Sequence, residues 1–315
     1  MANTRAQLSE LFTPIYDEFM LLGYAEEKQV GPQIFDIKDD TTKEWKHDGM
    51  SGTGEWTVAT ELSSDGYQDF VLGYPKTITP LKYWVKILVS FEATEQDEYA
   101  MLKSNATGGK QIGKGGSTKV ERLMAAQIYG AFGTAGPDGE YLISDSHPKN
   151  REETGVTYDN ELDGPFSHDN LELAEKQIAD NLYDMKSIPI LISETPNLVF
   201  ANALKGAVAR VISDRADYRP GDIGTRTDME INQFAGQYNP IMWRLLSAKE
   251  GGSDTAWYII YKDVGKTDGF KGVYGRRPSF DNWIDKDIEA YVFKGSLMFA
   301  AGPVGWRGIF GSTGL

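Results

Sequence analysis

The 315-residue sequence predicts an α+β fold, and three observations predict it. Apolar residues recur at helical spacing in several separate stretches. Dense β-branched and aromatic runs alternate with those stretches in no regular order. A long polar stretch that bears several glycines lies early in the chain, and no internal period is present.

The elements follow in order. Leu11, Phe12, Ile15, Phe19 and Leu22 make one sticky helical face between Ser9 and Leu22, with Pro14 tolerable in a first turn and Gly23 as a terminator. From Phe35 to Glu61, residues such as Asp39, Asp40, Thr41, Thr42, Gly49 and Gly52 leave little apolar material to anchor a core, so this stretch reads as an extended excursion. Tyr67 to Phe91 returns it as a pair of strands, because Val71, Leu72, Ile78, Tyr83, Val85, Ile87 and Val89 cluster between Gly66, Pro75 and Pro80.

Asn105 to Gly116, with five glycines, reads as a second loop. Thr118-x-x-Glu121 then gives a capping-box signal for an amphipathic helix over Ser117 to Phe132, closing near Gly133. A second clear helix runs from Asp169 to Asn181 on Leu171, Ala174 and Ile178. Ile188 to Phe200 reads as two strands with a turn between them, followed by a helix over Ala203 to Ile212. Trp257 to Tyr261 is a short dense strand, and Ile288 to Ala301 a longer one entering a glycine-broken tail.

Composition narrows the chemistry. Hydrophobic residues make up 40% of the chain and aromatic ones 12%, enough for one large core or two modest ones. The net charge of −14 repels phosphate backbones and anionic membrane surfaces. The absence of cysteine removes disulfides, thiolate metal sites and cysteine nucleophiles. Residues 1 to 12 lack the apolar core of a secretory signal, and no apolar run reaches the ~20 residues of a membrane span, so a soluble, cytoplasmically made protein is expected.

No catalytic, cofactor-binding or metal-binding residue is assigned. Gly108-x-x-x-x-Gly113-Lys114 matches a phosphate-binding loop until Gly115, which stands where a magnesium-binding Ser or Thr belongs, and Asp97 to Ser104 before it is polar where a buried strand is needed. His47, His147 and His168 each lie in polar surroundings without a second histidine at ligand spacing, so they read as surface or turn residues. Asp285-x-Asp287-x-Glu289 lacks the glycine of a calcium loop and reads as exposed acids along a strand edge. The enzyme reading left open is a carbohydrate-active hydrolase, with two of the 46 acids as a catalytic pair and the seven tryptophans as sugar platforms.

Four stretches, taken in order, resemble the major capsid (head) proteins of tailed bacteriophages, in particular the Mu-like major head subunit group. They are Phe35-Asp36-Ile37-Lys38 with His47-Asp48-Gly49-Met50-Ser51-Gly52, then Leu142 to Pro148 ending in Asp145-Ser146-His147-Pro148, then Pro196 to Phe200 leading into the Ala203 helix, and last Trp306-Arg307-Gly308-Ile309-Phe310-Gly311-Ser312. Ser146 separates an acid and a histidine that are adjacent in that group, and Ala201 and Asn202 stand where its second proline is usual.

The resemblance implies the tailed-phage capsid fold, with an N-terminal arm at 1–34, an extended loop at 35–92, a peripheral domain at 93–135 and 280–315 carrying a long spine helix, and an axial domain at 136–279. It implies a non-enzymatic subunit that forms hexamers and pentamers of an icosahedral head, assembled in the host bacterial cytoplasm around double-stranded DNA that it encloses without specific binding. Portal, scaffold and head-decoration proteins are further implied partners; a membrane is not. Related alternatives are a shell of the encapsulin type, which surrounds cargo enzymes, and a tail tube.

Overall fold

The computed structural model describes residues 20–52, 54–56, 58, 67–90, 92, 105–212 and 232–315. Two four-stranded sheets and one long helix organise them. The first sheet has the order β1-β10-β11-β4, from Asp36–Asp39, Phe270–Asp285, Ala290–Pro303 and Leu81–Ser90. β10 and β11 form one long antiparallel hairpin, β4 runs antiparallel along β11, and β1 adds in parallel to β10. The long helix, α3 (Asn105–Tyr129), lies on this sheet.

α3 presents Gly113, Ser117, Val120, Glu121, Met124 and Ile128 as one buried stripe at helical spacing. The glycine-bearing stretch expected as a loop is therefore its first turns. Each interior glycine costs a helix about 1 kcal/mol relative to alanine, and tertiary packing offsets part of that cost. A Cβ on Gly113 would sit 2.0 Å from the Met20 carbonyl oxygen, and one on Gly23 would sit 2.3 Å from that of Lys110. The two glycines let α3 and α1 (residues 20–26) touch backbone to backbone. Gly23 thus serves a crossing inside α1, where the sequence placed a terminator. The rest of the helix expected over Ser9 to Leu22, before residue 20, lies outside the described residues.

Thr118 and Glu121 fall in mid-helix. The Glu121 carboxylate accepts the backbone N–H of Gly31, at 3.0 and 3.2 Å, and so holds the first turn of α2 (Gly31–Ile34). Burial pushes its pKa up, against the lowering effect of those backbone bonds.

The second sheet has the order β12-β9-β7-β8, from Ile309–Ser312, Trp257–Ile260, Asn197–Phe200 and Asn239–Met242. β7 and β9 are buried at every position. One face (Val199, Tyr258, Ile260) joins the core under α3. The other (Leu198, Phe200, Trp257, Ile259) joins a second core closed by α4 (His168–Asn181). A sheet covered on both faces needs unbroken apolar runs, which is why these strands read as dense blocks without alternation. α4 is capped by Ser167, whose hydroxyl accepts the Asn170 N–H at 3.2 Å, and it buries Leu171, Ala174 and Ile178. A fully buried Leu or Ile contributes about 2 kcal/mol.

Several expectations are corrected. Phe35 is fully buried and Asp36–Asp39 pairs with β10, so the excursion's start is anchored in the core. Leu72–Ile78 (β3) and Leu81–Ser90 (β4) are both strands, but β3 pairs with β2 (Trp45–Met50) and β4 with β11. Ile188 to Ile192 forms no strand; only the bridge from Tyr183 to Pro189 pairs there, and Leu191 is 93% exposed. β10 carries no strand signal in the sequence because Pro278 and polar residues interrupt its apolar pattern. The register shifts between Tyr274 and Ser279 accommodate that proline. Asp287 and Glu289 sit in the turn of the β10–β11 hairpin, with Glu289 at φ +46. His147–Pro148 (β5) and Thr157–Tyr158 (β6) form a short antiparallel pair, and the tail from Ile309 joins the second sheet.

Candidate assembly surface

The feature with the least covering is the β2–β3 hairpin. Trp45 pairs with Ile78, His47 with Lys76 and Met50 with Leu72. Its root is held: Tyr74 donates to the Asn150 carbonyl at 3.2 Å, and the Ser51 hydroxyl accepts the Val71 N–H at 2.9 Å. Beyond Ser51 several apolar side chains among the described residues are open to solvent. Trp56 is 89% exposed, Val58 94%, Tyr67 fully and Phe70 more than half. A two-stranded ribbon that extends beyond its packed root gains little stability alone.

A second open feature is β4. It has a sheet neighbour on one side, β11, and carries exposed Leu81, Trp84, Val85, Ile87 and Leu88. An unpaired edge this long and apolar is of the kind that other chains can pair with.

The Asp145 to Pro148 and Trp306-Arg307 motifs meet in the interior. The His147 ring lies flat on Trp306, with centroids 4.5 Å apart and 12° between planes, and its Nδ1 hydrogen-bonds the Asp138 carboxylate at 2.7 Å. His147 is completely buried, which corrects its reading as a surface residue. Arg307 stacks over Trp306 at 4.7 Å and donates to the carbonyls of Tyr183 and Lys149 at 3.0 and 2.7 Å and to the Asp268 carboxylate at 2.9 Å. One guanidinium thereby ties three separate segments to the C-terminal tail. His47 stands on β2 beside Trp45, and His168 opens α4 against Phe234.

These arrangements fit clasping better than catalysis. His147 has aspartate on one nitrogen, but its Nε2 is sealed from solvent and no hydroxyl among the described residues reaches it; Ser144 and Ser146 bond each other at 3.2 Å. Asp159 and Glu161 are pushed up first by burial and then by the charges of Asp145 and Asp163, to which Asp159 adds for Glu161, while the Glu161 backbone N–H partly offsets the rise at Asp159. The cleft of about 470 Å³ that contains Asp184, Glu194, Asp263 and Asp268 has no tryptophan in its wall, and Trp243, Trp257 and Trp306 are buried. Gly113 and Lys114 lie inside α3, which leaves no loop to cradle a phosphate. Among the described residues, no group of three acids and histidines is arranged for a metal ion, and no helix is long and apolar enough to cross a membrane.

No family model and no curated protein sequence matches the chain. Solved structures do. The capsid of the cyanophage P-SCSP1u matches with a TM-score of 0.59 at 11% identity, over 91% of this chain and 88% of that one. A chain of the procapsid of bacteriophage JBD30 matches at 0.52 and 11% identity, over 98% of this chain and 76% of that one. A virus-like particle from Pyrococcus furiosus matches at 0.52 and 9% identity, over 96% and 99%. At these identities the likeness establishes the fold: the chain has the α+β fold of phage capsid subunits.

Proposed function

We propose that this chain is a shell subunit, a major capsid protein that self-assembles as hexamers and pentamers into an icosahedral phage head enclosing double-stranded DNA. The observation that carries the reading is the projecting β2–β3 hairpin, with Trp56, Val58, Tyr67 and Phe70 exposed on a fold otherwise found in capsids. Such a ribbon becomes stable when an adjacent copy covers it. The acidic balance of −14 also suits a container wall that must not trap its DNA.

The proposed division keeps the arm at 1–34 and the axial unit within 136–279. The peripheral unit keeps α3 and β11 and gains β1, β4 and the first part of β10, which confines the extended loop to the stretch between Asp39 and Leu81. Portal, scaffold and head-decoration proteins would dock on the finished shell, and the particle would be a virion assembled in a bacterial cytoplasm. No enzymatic activity is assigned. A second reading, a nanocompartment shell around cargo protein, is favoured by the match to the Pyrococcus furiosus particle over nearly all of both chains.

Expression of the chain alone, followed by size-exclusion chromatography and negative-stain electron microscopy, tests the proposal. Closed shells, or rings of five and six, are expected. A compact monomer at every concentration and salt level would overturn it. Nucleic acid or cargo protein co-purifying from the native source separates the two shell readings.

A further inference from the structure

The β2–β3 hairpin leaves the body of the protein at a joint made of two glycines. Its pairing breaks register between Asp48 and Met50, and Gly49 stands in that break with Gly73 facing it. A Cβ on Gly73 would lie 3.0 Å from both the Cα and the carbonyl oxygen of Gly49, so the two strands touch there backbone to backbone. A register break between residues without side chains is a point where a two-stranded ribbon bends easily. An open cleft of about 470 Å³, lined by residues 49–52 of the hairpin and 190–194 of the body, leaves room for such a bend.

One side chain fills the notch between the glycines. The same Cβ on Gly73 would lie 2.6 Å from Cε of Met185, and one on Gly49 would lie 3.2 Å from it. Met185 is buried and belongs to a tightly bonded turn at residues 184–188. The Asp184 carboxylate accepts the N–H groups of Lys186 and Ile188 at 2.7 and 2.9 Å, and Ser187, at φ +60, has its hydroxyl bonded to that of Tyr158 at 2.9 Å. The turn is tied to the body as well: the Asn150 amide donates to the Met185 carbonyl at 3.0 Å, and Arg307 donates to that of Tyr183. Farther out, the Lys186 ammonium donates to the Asp69 carbonyl at 2.5 Å.

We propose that Met185 is a positioning residue for the hairpin: wedged between Gly49 and Gly73, its thioether fixes the direction in which the ribbon leaves the body. An unbranched, flexible side chain suits an irregular notch of this kind, and Lys186 adds a second hold on the same ribbon. Through Tyr183 the wedge also joins the hairpin's direction to the Arg307 clasp. The inference deepens the shell reading, in which that direction decides what surface of a neighbour the hairpin meets, and rests on it for that use alone.

The chain has no cysteine, so spin labels can be placed at will. Labels at Trp56→Cys on the hairpin and Leu173→Cys on α4, both exposed positions, report the hairpin's direction by double electron–electron resonance. The full chain is used, diluted with unlabelled chain so that intrachain pairs are read. Met185→Ala should widen the distance distribution about twofold or more, and Met185→Leu, of similar volume, should restore it. Gly73→Ala, whose methyl meets Met185, should displace the maximum instead. A second label pair within the body, Tyr141→Cys with Leu173→Cys, should be unchanged in every variant. A distribution in Met185→Ala as narrow as the parent's would overturn the proposal, and so would a widening shared by the body pair, which would make Met185 an ordinary core side chain. Because the readout needs no assembly, a chain that forms no shells would count against the shell reading and leave this measurement to decide the wedge.

Discussion

His147 lies against Trp306 with 4.5 Å between ring centroids, so the histidine of one sequence motif and the tryptophan of another form a single buried stack. Asp138 holds the far side of the imidazole, and Arg307 covers the indole. The junction is dense in polar groups that depend on one another, and its members should be intolerant of change.

Arg307→Ala should cost about 3 kcal/mol or more, because it leaves the Asp268 carboxylate and two carbonyls without their donor. Arg307→Lys should recover only part of that, since a single ammonium cannot reach three acceptors spread around a fork. Urea unfolding of the isolated subunit measures both; a lysine variant as stable as the parent would refute the clasp.

Two glycines of α3 should respond oppositely. Gly115 has nothing within 4 Å of where a Cβ would stand, so Gly115→Ala should stabilise by about 0.5–1 kcal/mol through helix propensity. In Gly113→Ala the same gain is overridden by collision with the Met20 carbonyl. That variant should melt lower and expose residues 20–34 to protease.

Charge in the shell of acids near β12 gives a pH dependence. Burial and the neighbouring carboxylates raise Glu161 above its ordinary value of 4.5, so folding favours its protonated form. This contribution is complete below the ordinary value and is lost as pH rises through the raised one. Glu161→Gln should therefore raise the melting temperature near about pH 7 and leave it unchanged near about pH 3. The opposite sense holds for Asp36: burial acts to raise it, but the hydrogen bond and charge of Lys271 win and hold it below 3.8, so its stabilisation is lost only in stronger acid.

At the projecting hairpin, Trp56→Asp combined with Tyr67→Asp should leave the subunit's thermal stability within about 0.5 kcal/mol of the parent, as befits exposed positions. The same variant should abolish closed particles in electron micrographs. Normal shells from it would mean that the hairpin is not an assembly element.

Much of this was legible in the residues themselves. Local periodicity located α4, α5 (Lys205–Val211), β9, β11 and the second half of α3, because in those stretches the pattern of burial repeats along a single element. The ordered motifs from Phe35 to Ser312 also pointed to the capsid fold that the structural matches bear out. What the chain could not disclose locally was anything that depends on a distant partner. Five glycines make a helix because α1 comes to lie on Gly113, Pro278 sits in a strand because β11 tolerates a register shift there, and Glu121 caps a helix that begins at Gly31. His147 looked like a turn residue because its neighbours in sequence are polar, while its neighbours in space are Asp138 and Trp306. Sequence determines which segments must bury a face; only tertiary structure decides against what, because burial and hydrogen bonding are satisfied by proximity in space.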